Sequence, residues 1–224
     1  MAELVTLDLF ENALRKAHAD GAAFMLIGGL AVGYWAKRYE VFNWPGETIY
    51  SKDIDLRGDK AASSIVATRL KEEGHRVACL VNVKRKEPPG LGMNYVVQLD
   101  MKDIGRISVE VLEKMPLVDS PDAPPRGIAL VMDNFPVLDP LSLMIGKVHA
   151  FNNRRPGQSD NDAKHLELLR RLLPAFMEEA CERGLAGDIR ERATALLEIL
   201  ETWKVPFDPD SLASLQSELR QRAA

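Results

Sequence analysis

The stretch Ser51-Lys-Asp-Ile-Asp-Leu-Arg-Gly58, "SKDIDLRG", places two aspartates one residue apart in an otherwise apolar β-strand pattern. Because successive side chains of a strand point to opposite faces, Asp53 and Asp55 are expected to project from the same face. Two carboxylates this close repel each other unless a cation neutralises them, and Mg²⁺ prefers such oxygen ligands. The pattern therefore indicates a metal site. Two solvated acids at an exposed strand end are the alternative.

A glycine pair lies upstream of these acids. "AAFMLIGG", residues 22–29, is a short β-rich run, and "LAVGYWAKRYE", residues 30–40, has apolar residues at helical spacing. Gly28 and Gly29 thus stand between a predicted strand and a predicted helix. Backbone N–H groups at a helix N-terminus attract phosphate, and glycine allows its close approach. A glycine turn that binds nothing is the alternative interpretation.

The rest of the chain divides by its periodicity. Residues 59–75 are expected to form a helix that starts near Asp59 and ends at Gly74. Strand patterns follow at residues 76–83, 93–101 and 106–115, the last two joined by the hairpin-sized turn "KDIG". From Pro140 onward, all four patterns are helical. We therefore predict an α/β (α+β) core with a mixed sheet over residues 1–135 and a helical domain over residues 136–224.

Composition limits the classes of partner. The 224 residues carry a net charge of −4, so the chain as a whole does not attract nucleic acid. Cys79 and Cys181 lie far apart and suggest neither a disulfide framework nor a thiolate metal site. The most apolar run, Ala22 to Ala36, is shorter than a bilayer span, and no export signal is visible. We expect a cytoplasmic protein with no membrane partner.

The order of these elements carries a resemblance. A strand, Gly-Gly, a helix, a loop and then "SKDIDL" resemble the signature of the nucleotidyltransferase superfamily that includes DNA polymerase beta. The resemblance implies that Gly28 and Gly29 support a triphosphate, and that Asp53, Asp55 and a third carboxylate bind two Mg²⁺. An acceptor would then attack the nucleotide α-phosphate, and pyrophosphate would leave. Ser51 fits the same motif, where it could contact phosphate or simply begin the strand.

The third carboxylate is expected in the middle of a later strand. "SVEVL" offers Glu110, flanked by Val109 and Val111, at the position where the family usually has Asp. The longer Glu side chain would move the carboxylate outward. Asp100, in "VVQLDM", is the rival, at the end of the preceding strand. We favour Glu110.

A second segment resembles one branch of the superfamily, the AbiEii-type toxins and related small bacterial nucleotidyltransferases. Residues 137–173, "VLDPLSLMIGKVHAFNNRRPGQSDNDAKHLELLRRLL", match it at Asp139, Pro140, Leu143, Lys147, Ala150, Arg154 or Arg155, Asp162 and Leu166. The resemblance implies that Lys147 reaches the nucleotide phosphates and that Asp162, paired with Lys147, organises this end of the helices. A lysine that extends to solvent is the alternative. Asn161 and His165 depart from the branch pattern.

This branch suggests an acceptor and a partner. The acceptor would be a tRNA-like RNA 3′ end or a protein, and the chain would be the toxin of a toxin–antitoxin pair. An aminoglycoside-like antibiotic is an alternative acceptor, which Glu47, Asp100 and Asp103 would face. A catalytically silent binding module with the same fold is a further alternative, kept open by Glu110 and by the altered "NDAKHL" turn.

Overall fold

The computed structural model describes residues 6–42, 51, 53–84, 93–101, 105–113, 129–132, 135–153 and 160–223. The strands within these ranges are β1 (Phe24–Ile27), β2 (Asp53–Gly58), β3 (Arg76–Lys84), β4 (Met93–Met101), β5 (Gly105–Leu112), β6 (Ala129–Met132) and β7 (Phe135–Leu138). The α-helices are α1 (Glu11–Ala19), α2 (Gly28–Arg38), α3 (Lys60–Glu72), α4 (Pro140–Asn153), α5 (Asp160–Glu182), α6 (Ala186–Thr202) and α7 (Pro209–Ala223). The mixed α/β character and the helical C-terminal part are confirmed. Glu47, Asp103, Arg154 and Arg155 lie outside the described residues.

The strands form one sheet in the order β3-β4-β5-β2-β1-β7-β6. Strand β2 pairs with β1 in antiparallel and with β5 in parallel orientation. The predicted hairpin is confirmed, because β4 and β5 pair antiparallel from Met101 and Gly105 onward. The sheet is therefore mixed, and β2, which carries "DIDL", occupies its centre.

Alternation along β2 separates a buried face from a half-buried one. Ile54 and Leu56 are buried, whereas Asp53, Asp55 and Arg57 are half-buried. Gly58 lies on the same side as Ile54 and Leu56, and a Cβ there would contact Ala62 of α3 at 3.2 Å. Helix α3 therefore covers the apolar face, and the acids project from the other.

Local sequence signals explain the limits of α3. The Asp59 carboxylate accepts a hydrogen bond from the Ala62 backbone N–H at 2.8 Å, which satisfies one of the free donors of the first turn. Beyond the last turn, Gly74 has φ +89°, a left-handed conformation that favours glycine. Both predicted helix signals are confirmed.

The hairpin of β6 and β7 was not predicted from the sequence. Each strand spans four residues, and Pro136 lies within β7 between two neighbouring strands. Proline cannot donate a ladder hydrogen bond, so it argues against an internal strand. Strand β7 joins the sheet through parallel pairing with β1 at Leu26 and Val137.

The chain forms two compact units. The first contains Met1–Tyr34, Thr48–Met115 and Ala129–Leu138, and the second contains Trp35–Glu47, Pro116–Ile128 and Asp139–Ala224. The second unit is helical, with a core of buried leucines on α5 and α6, among them Leu169, Leu172 and Leu196. None of the helices in the described part of the chain is long and apolar enough to cross a membrane.

Candidate functional site

The turn between β1 and α2 is built around Gly28. This residue opens α2 with φ +71°, so an L-amino acid here would be strained. A Cβ at Gly28 would lie 2.1 Å from Asp55 Oδ2 and 2.8 Å from Asp55 Cγ. This close approach of Gly28 and Asp55 results from the antiparallel register, which pairs Asp55 with Ile27 at the end of β1. The glycine turn and the Asp55 carboxylate are therefore in direct contact, which the sequence did not establish.

Asp53 lies two residues before Asp55 on the same face of β2. The Ser51 hydroxyl donates a hydrogen bond to Asp53 Oδ1 at 3.2 Å, and Ser51 is buried, with 4% of its surface exposed. A buried hydroxyl that donates to a carboxylate limits how that carboxylate can turn. Ser51 is thus placed to orient Asp53.

Glu110 lies beside these acids through the parallel pairing of β2 with β5. The register places Asp53 opposite Ser108 and Asp55 opposite Glu110. Paired residues on adjacent strands project from the same face, about 5 Å apart. Glu110 is half-buried there, between the buried Val109 and Val111 of the other face. Of the two proposed third carboxylates, Glu110 is the direct neighbour of Asp55.

Asp100 lies one strand further from β2. It pairs in register with Arg106 at the far end of the β4–β5 hairpin, and Arg106 Nε lies 3.0 Å from Asp100 Oδ1. The Asp100 carboxylate therefore has a cationic partner on its own hairpin. Its position favours Glu110 as the companion of Asp53 and Asp55.

The resemblance implies magnesium, and the residues present fit a metal held by two carboxylates. Asp53 and Asp55 share one face, and the contact between Asp55 and Gly28 brings this carboxylate to the N-terminus of α2. Within the described ranges, no three His, Cys, Asp or Glu side chains are gathered to hold one metal ion. Mg²⁺ is usually bound by one or two carboxylates, with water and substrate phosphates completing the shell. A metal held by these two carboxylates would take its remaining ligands from outside the described residues.

The ion pair predicted in the helical unit is present. Lys147 Nζ of α4 lies 2.9 Å from Asp162 Oδ1 of α5, and 12% of the lysine side chain and 1% of the aspartate side chain are exposed. His165, one of the departures from the branch pattern, is buried one turn further along α5. The pair joins the two helices in a weakly solvated place. That Lys147 contacts phosphate stays a prediction.

A buried polar cluster at the start of α4 was not predicted. The carboxylate of Asp139 accepts a hydrogen bond from the Ser142 backbone N–H at 2.9 Å and so caps the helix. Arg192 of α6 lies 3.4 Å from Asp139 Oδ2, and both residues are buried. The "DP" motif therefore has a structural role in this chain. An arginine in the apolar stripe of Ile189, Ala193 and Leu196 is the sequence signal that could have revealed it.

Solved structures with similarity to this chain have low sequence identity. JHP933 from Helicobacter pylori is 15% identical with a TM-score of 0.45, over 96% of this chain and 90% of that one. The Megavirus polyadenylate synthase is 11% identical with a TM-score of 0.48, over 75% of this chain and 31% of that one. The antibiotic-resistance factor ANT(2'')-Ia is 13% identical with a TM-score of 0.43, over 96% and 91%. No family model and no curated protein matches the sequence. Similarity at this level assigns no function, which must be inferred from the residues of this chain.

Proposed function

We propose that the chain is a Mg²⁺-dependent nucleotidyltransferase that moves a nucleoside monophosphate from an NTP to an acceptor. One observation carries the proposal: the glycine that opens α2 packs directly against Asp55, the second aspartate of "DID". A helix N-terminus, which can bind phosphate, and a carboxylate, which can bind a metal, are thus adjacent. A nucleoside triphosphate with its divalent cation has both of the charges that this arrangement would bind.

In this proposal the residues of the first unit hold and orient the substrate. Asp53 and Asp55 bind the metal, Ser51 orients Asp53, and the backbone at Gly28 and Gly29 receives the phosphates. Bound Mg²⁺ would stabilise charge on the attacking and leaving oxygens. An acceptor hydroxyl gives up its proton to water as its oxygen forms a bond to the α-phosphorus. The bond from that phosphorus to the bridging oxygen breaks, and pyrophosphate leaves with the electron pair.

The remaining predicted site residues take supporting roles. Glu110, beside Asp55 in register, is proposed as the third carboxylate once the metal–nucleotide complex is bound. Lys147 and Asp162 belong to the helical unit, where their ion pair fixes α4 against α5. A phosphate contact by Lys147 is proposed from the family resemblance.

For the acceptor, we propose an RNA 3′ end or a protein side chain, as the toxin-like branch suggests, with an antitoxin protein as a partner. The net charge of −4 favours a small acceptor contact over an extended RNA interface. An aminoglycoside-like acceptor and a silent binding module are the competing hypotheses.

The test is transfer of label from each of the four α-³²P-labelled NTPs, with Mg²⁺, to total RNA, to cell protein and to an aminoglycoside. Label in tRNA-sized RNA or in protein supports the proposal, whereas label only in the aminoglycoside selects the competing acceptor. Asp53→Asn is expected to lower transfer at least about a hundredfold through loss of metal binding. Asp100→Asn makes the same chemical change on the half-buried Asp100, in the ion pair with Arg106, and should leave transfer nearly unchanged.

The enzyme proposal would be contradicted by one combined result. If no acceptor is labelled and Mn²⁺–NTP binding is equal in the wild type and Asp53→Asn, the site does not bind a metal–nucleotide complex.

A further inference from the structure

A row of neutral polar side chains extends from Asp53 across the sheet. The strand register pairs Asp53 of β2 with Ser108 of β5, and Ser108 with Gln98 of β4. Ser108 and Gln98 are half-buried, whereas Val109 and Val97, their neighbours along the strands, are buried on the other face. Ser108 and Gln98 therefore share the half-buried face with Asp53, with about 5 Å between side chains on adjacent strands.

The side chains of Ser108 and Gln98 are available to a ligand. Among the residues that the structure describes, neither the Ser108 hydroxyl nor the Gln98 amide has a hydrogen-bond partner, whereas the nearby Ser51 hydroxyl donates to Asp53 Oδ1. A half-buried polar group without a protein partner must bond to water or to a ligand. The hydroxyl and the amide can each donate and accept hydrogen bonds. The row thus provides hydrogen-bonding groups beside the proposed metal site.

The strand order places this row on the side from which an acceptor would approach. Gly28 and Gly29 follow β1, which lies on one side of β2, whereas β5 and β4 lie on the other side. In phosphoryl transfer the attacking and leaving oxygens are roughly in line, on opposite sides of the phosphorus. Because the proposed function places pyrophosphate at the glycine turn, the acceptor approaches from β5. Its attacking hydroxyl is then near the metal at Asp53, with Ser108 beside it.

The charges along the row determine which kind of acceptor it can bind. Ser108 and Gln98 are neutral, and Asp100, two residues after Gln98 on the same face, has Arg106 Nε at 3.0 Å from its Oδ1. A polycationic acceptor such as an aminoglycoside would need free carboxylates, and a phosphate group would need free cations. Neutral hydroxyl and amide groups instead match the hydroxyl groups of a sugar.

We propose that Ser108 and Gln98 are acceptor-binding residues, and that the acceptor carries a second hydroxyl beside the one that attacks, as a terminal ribose does. The inference rests on the proposed function, because it assumes that the attacking hydroxyl reaches the metal at Asp53. Ser108 binds the second hydroxyl, and Gln98, one strand further away, binds the nucleoside beyond it. The 2′-hydroxyl is the group by which proteins distinguish RNA from DNA. The acceptor is thus a ribose end, on RNA or on a free ribonucleoside.

The experiment measures the first addition of label from a mixture of α-³²P-labelled NTPs, with Mg²⁺, to two RNA pools of random sequence. One pool ends in ribose and the other in 2′-deoxyribose, and both keep the 3′-hydroxyl. The wild type should label the ribose-ended pool about tenfold faster, which is the effect of one hydrogen bond to a partly enclosed group. Ser108→Ala should lower that rate about tenfold and leave the rate for the deoxyribose-ended pool within about twofold. Gln98→Leu should slow both pools by a similar factor, because both keep the terminal base.

Ser64→Ala is the matched control. It removes the same group from α3, which covers the other face of the sheet and where Ser64 Oγ donates to the Lys60 carbonyl at 3.0 Å. Both rates should stay within about twofold of the wild type. Ser108→Ala should also keep the wild-type melting temperature and Mn²⁺–NTP affinity, because its hydroxyl is bonded to neither the protein nor the metal. A weakened Mn²⁺–NTP affinity would instead mean that Ser108 positions Asp53, and would overturn the inference.

Free ribonucleosides and their 2′-deoxy forms, tested in parallel, distinguish the two sources of ribose. A preference for ribose that Ser108→Ala removes supports the inference, whether the label enters RNA or the nucleosides. The inference is overturned if neither ribose source is labelled, if ribose and deoxyribose ends are labelled equally, or if Ser108→Ala keeps the preference.

Failure of the inference and failure of the proposed function give different results. If Asp53→Asn abolishes Mn²⁺–NTP binding while Ser108→Ala keeps the preference for ribose, only the role of Ser108 and Gln98 is wrong. If Asp53→Asn leaves Mn²⁺–NTP binding unchanged, the proposed function itself is wrong.

Discussion

Replacing Gly28 by alanine tests the contact on which the candidate site depends. The new Cβ would lie 2.1 Å from Asp55 Oδ2, which is well inside van der Waals contact, at a backbone φ of +71°. The left-handed conformation costs alanine about 1–2 kcal/mol relative to glycine. Displacing the Asp55 side chain from a packed rotamer adds about 1–2 kcal/mol. We therefore expect Gly28→Ala to lower the free energy of unfolding by about 2–4 kcal/mol.

Gly74→Ala separates the two contributions. Gly74 has a similar φ of +89°, but a Cβ there would have nothing within 4 Å. This variant should therefore show only the backbone cost, about 1–2 kcal/mol. The difference of about 1–2 kcal/mol between the two variants corresponds to roughly 2–8 °C in melting temperature, measured by circular dichroism without metal.

A double substitution then identifies Asp55 as the group that is displaced. In an Asp55→Ala background, the nearest remaining contact of the new Cβ is Asp55 Cβ at 2.8 Å in place of Oδ2 at 2.1 Å. The penalty of Gly28→Ala should fall toward that of Gly74→Ala, with a coupling energy of about 1 kcal/mol. Equal penalties at Gly28 and Gly74, or no coupling to Asp55, would refute the close packing of the glycine turn on this carboxylate.

The remaining predictions concern the helical unit. Asp139→Ala should lower the free energy of unfolding by about 3–5 kcal/mol in chemical denaturation, because it removes a helix cap and the buried carboxylate beside Arg192, which keeps only the more distant and exposed Asp188. Asp208→Ala, at the exposed Asp-Pro cap of α7, should cost clearly less. Lys147→Met should cost about 3–5 kcal/mol by leaving Asp162 as a buried charge, and K147M/D162L should recover most of that loss. Burial lowers the pKa of His149, so the unfolded state takes up a proton first as pH falls through about 6.5. Stability should decline below that pH in thermal melts, and a slope unchanged in His149→Phe would contradict this.

Local signals in the sequence were sufficient for much of the first unit. The alternation at "DIDL" predicted which side chains share a face, and Asp59 and Gly74 marked the two ends of α3. These features depend on residues close in sequence, where backbone geometry leaves few options. The β6–β7 hairpin was missed because four-residue strands carry little periodicity and Pro136 opposes a strand assignment.

Contacts between distant residues could not be predicted in the same way. Nothing near Asp139 in the sequence indicates that Arg192 of another helix will pair with it, and nothing near Gly28 indicates that its Cα will meet Asp55. Such pairs depend on strand order and helix packing, which are global properties of the chain. A charged residue within an apolar stripe, as at Arg192, is the trace that this packing leaves in the sequence.

Strand register distinguishes between the two candidates for the third carboxylate. The sequence offered Glu110 and Asp100, and the pairing of β2 with β5 makes Glu110 the neighbour of Asp55 while Asp100 pairs with Arg106. The register of the strands determines which acidic residues are neighbours, and their like charges then affect one another. Asp53, Asp55 and Glu110 lie on one face of two neighbouring strands, where their negative charges repel one another and a bound cation would relieve that repulsion. In the proposed function, that cation would take its remaining ligands from water and from the phosphates of the nucleotide.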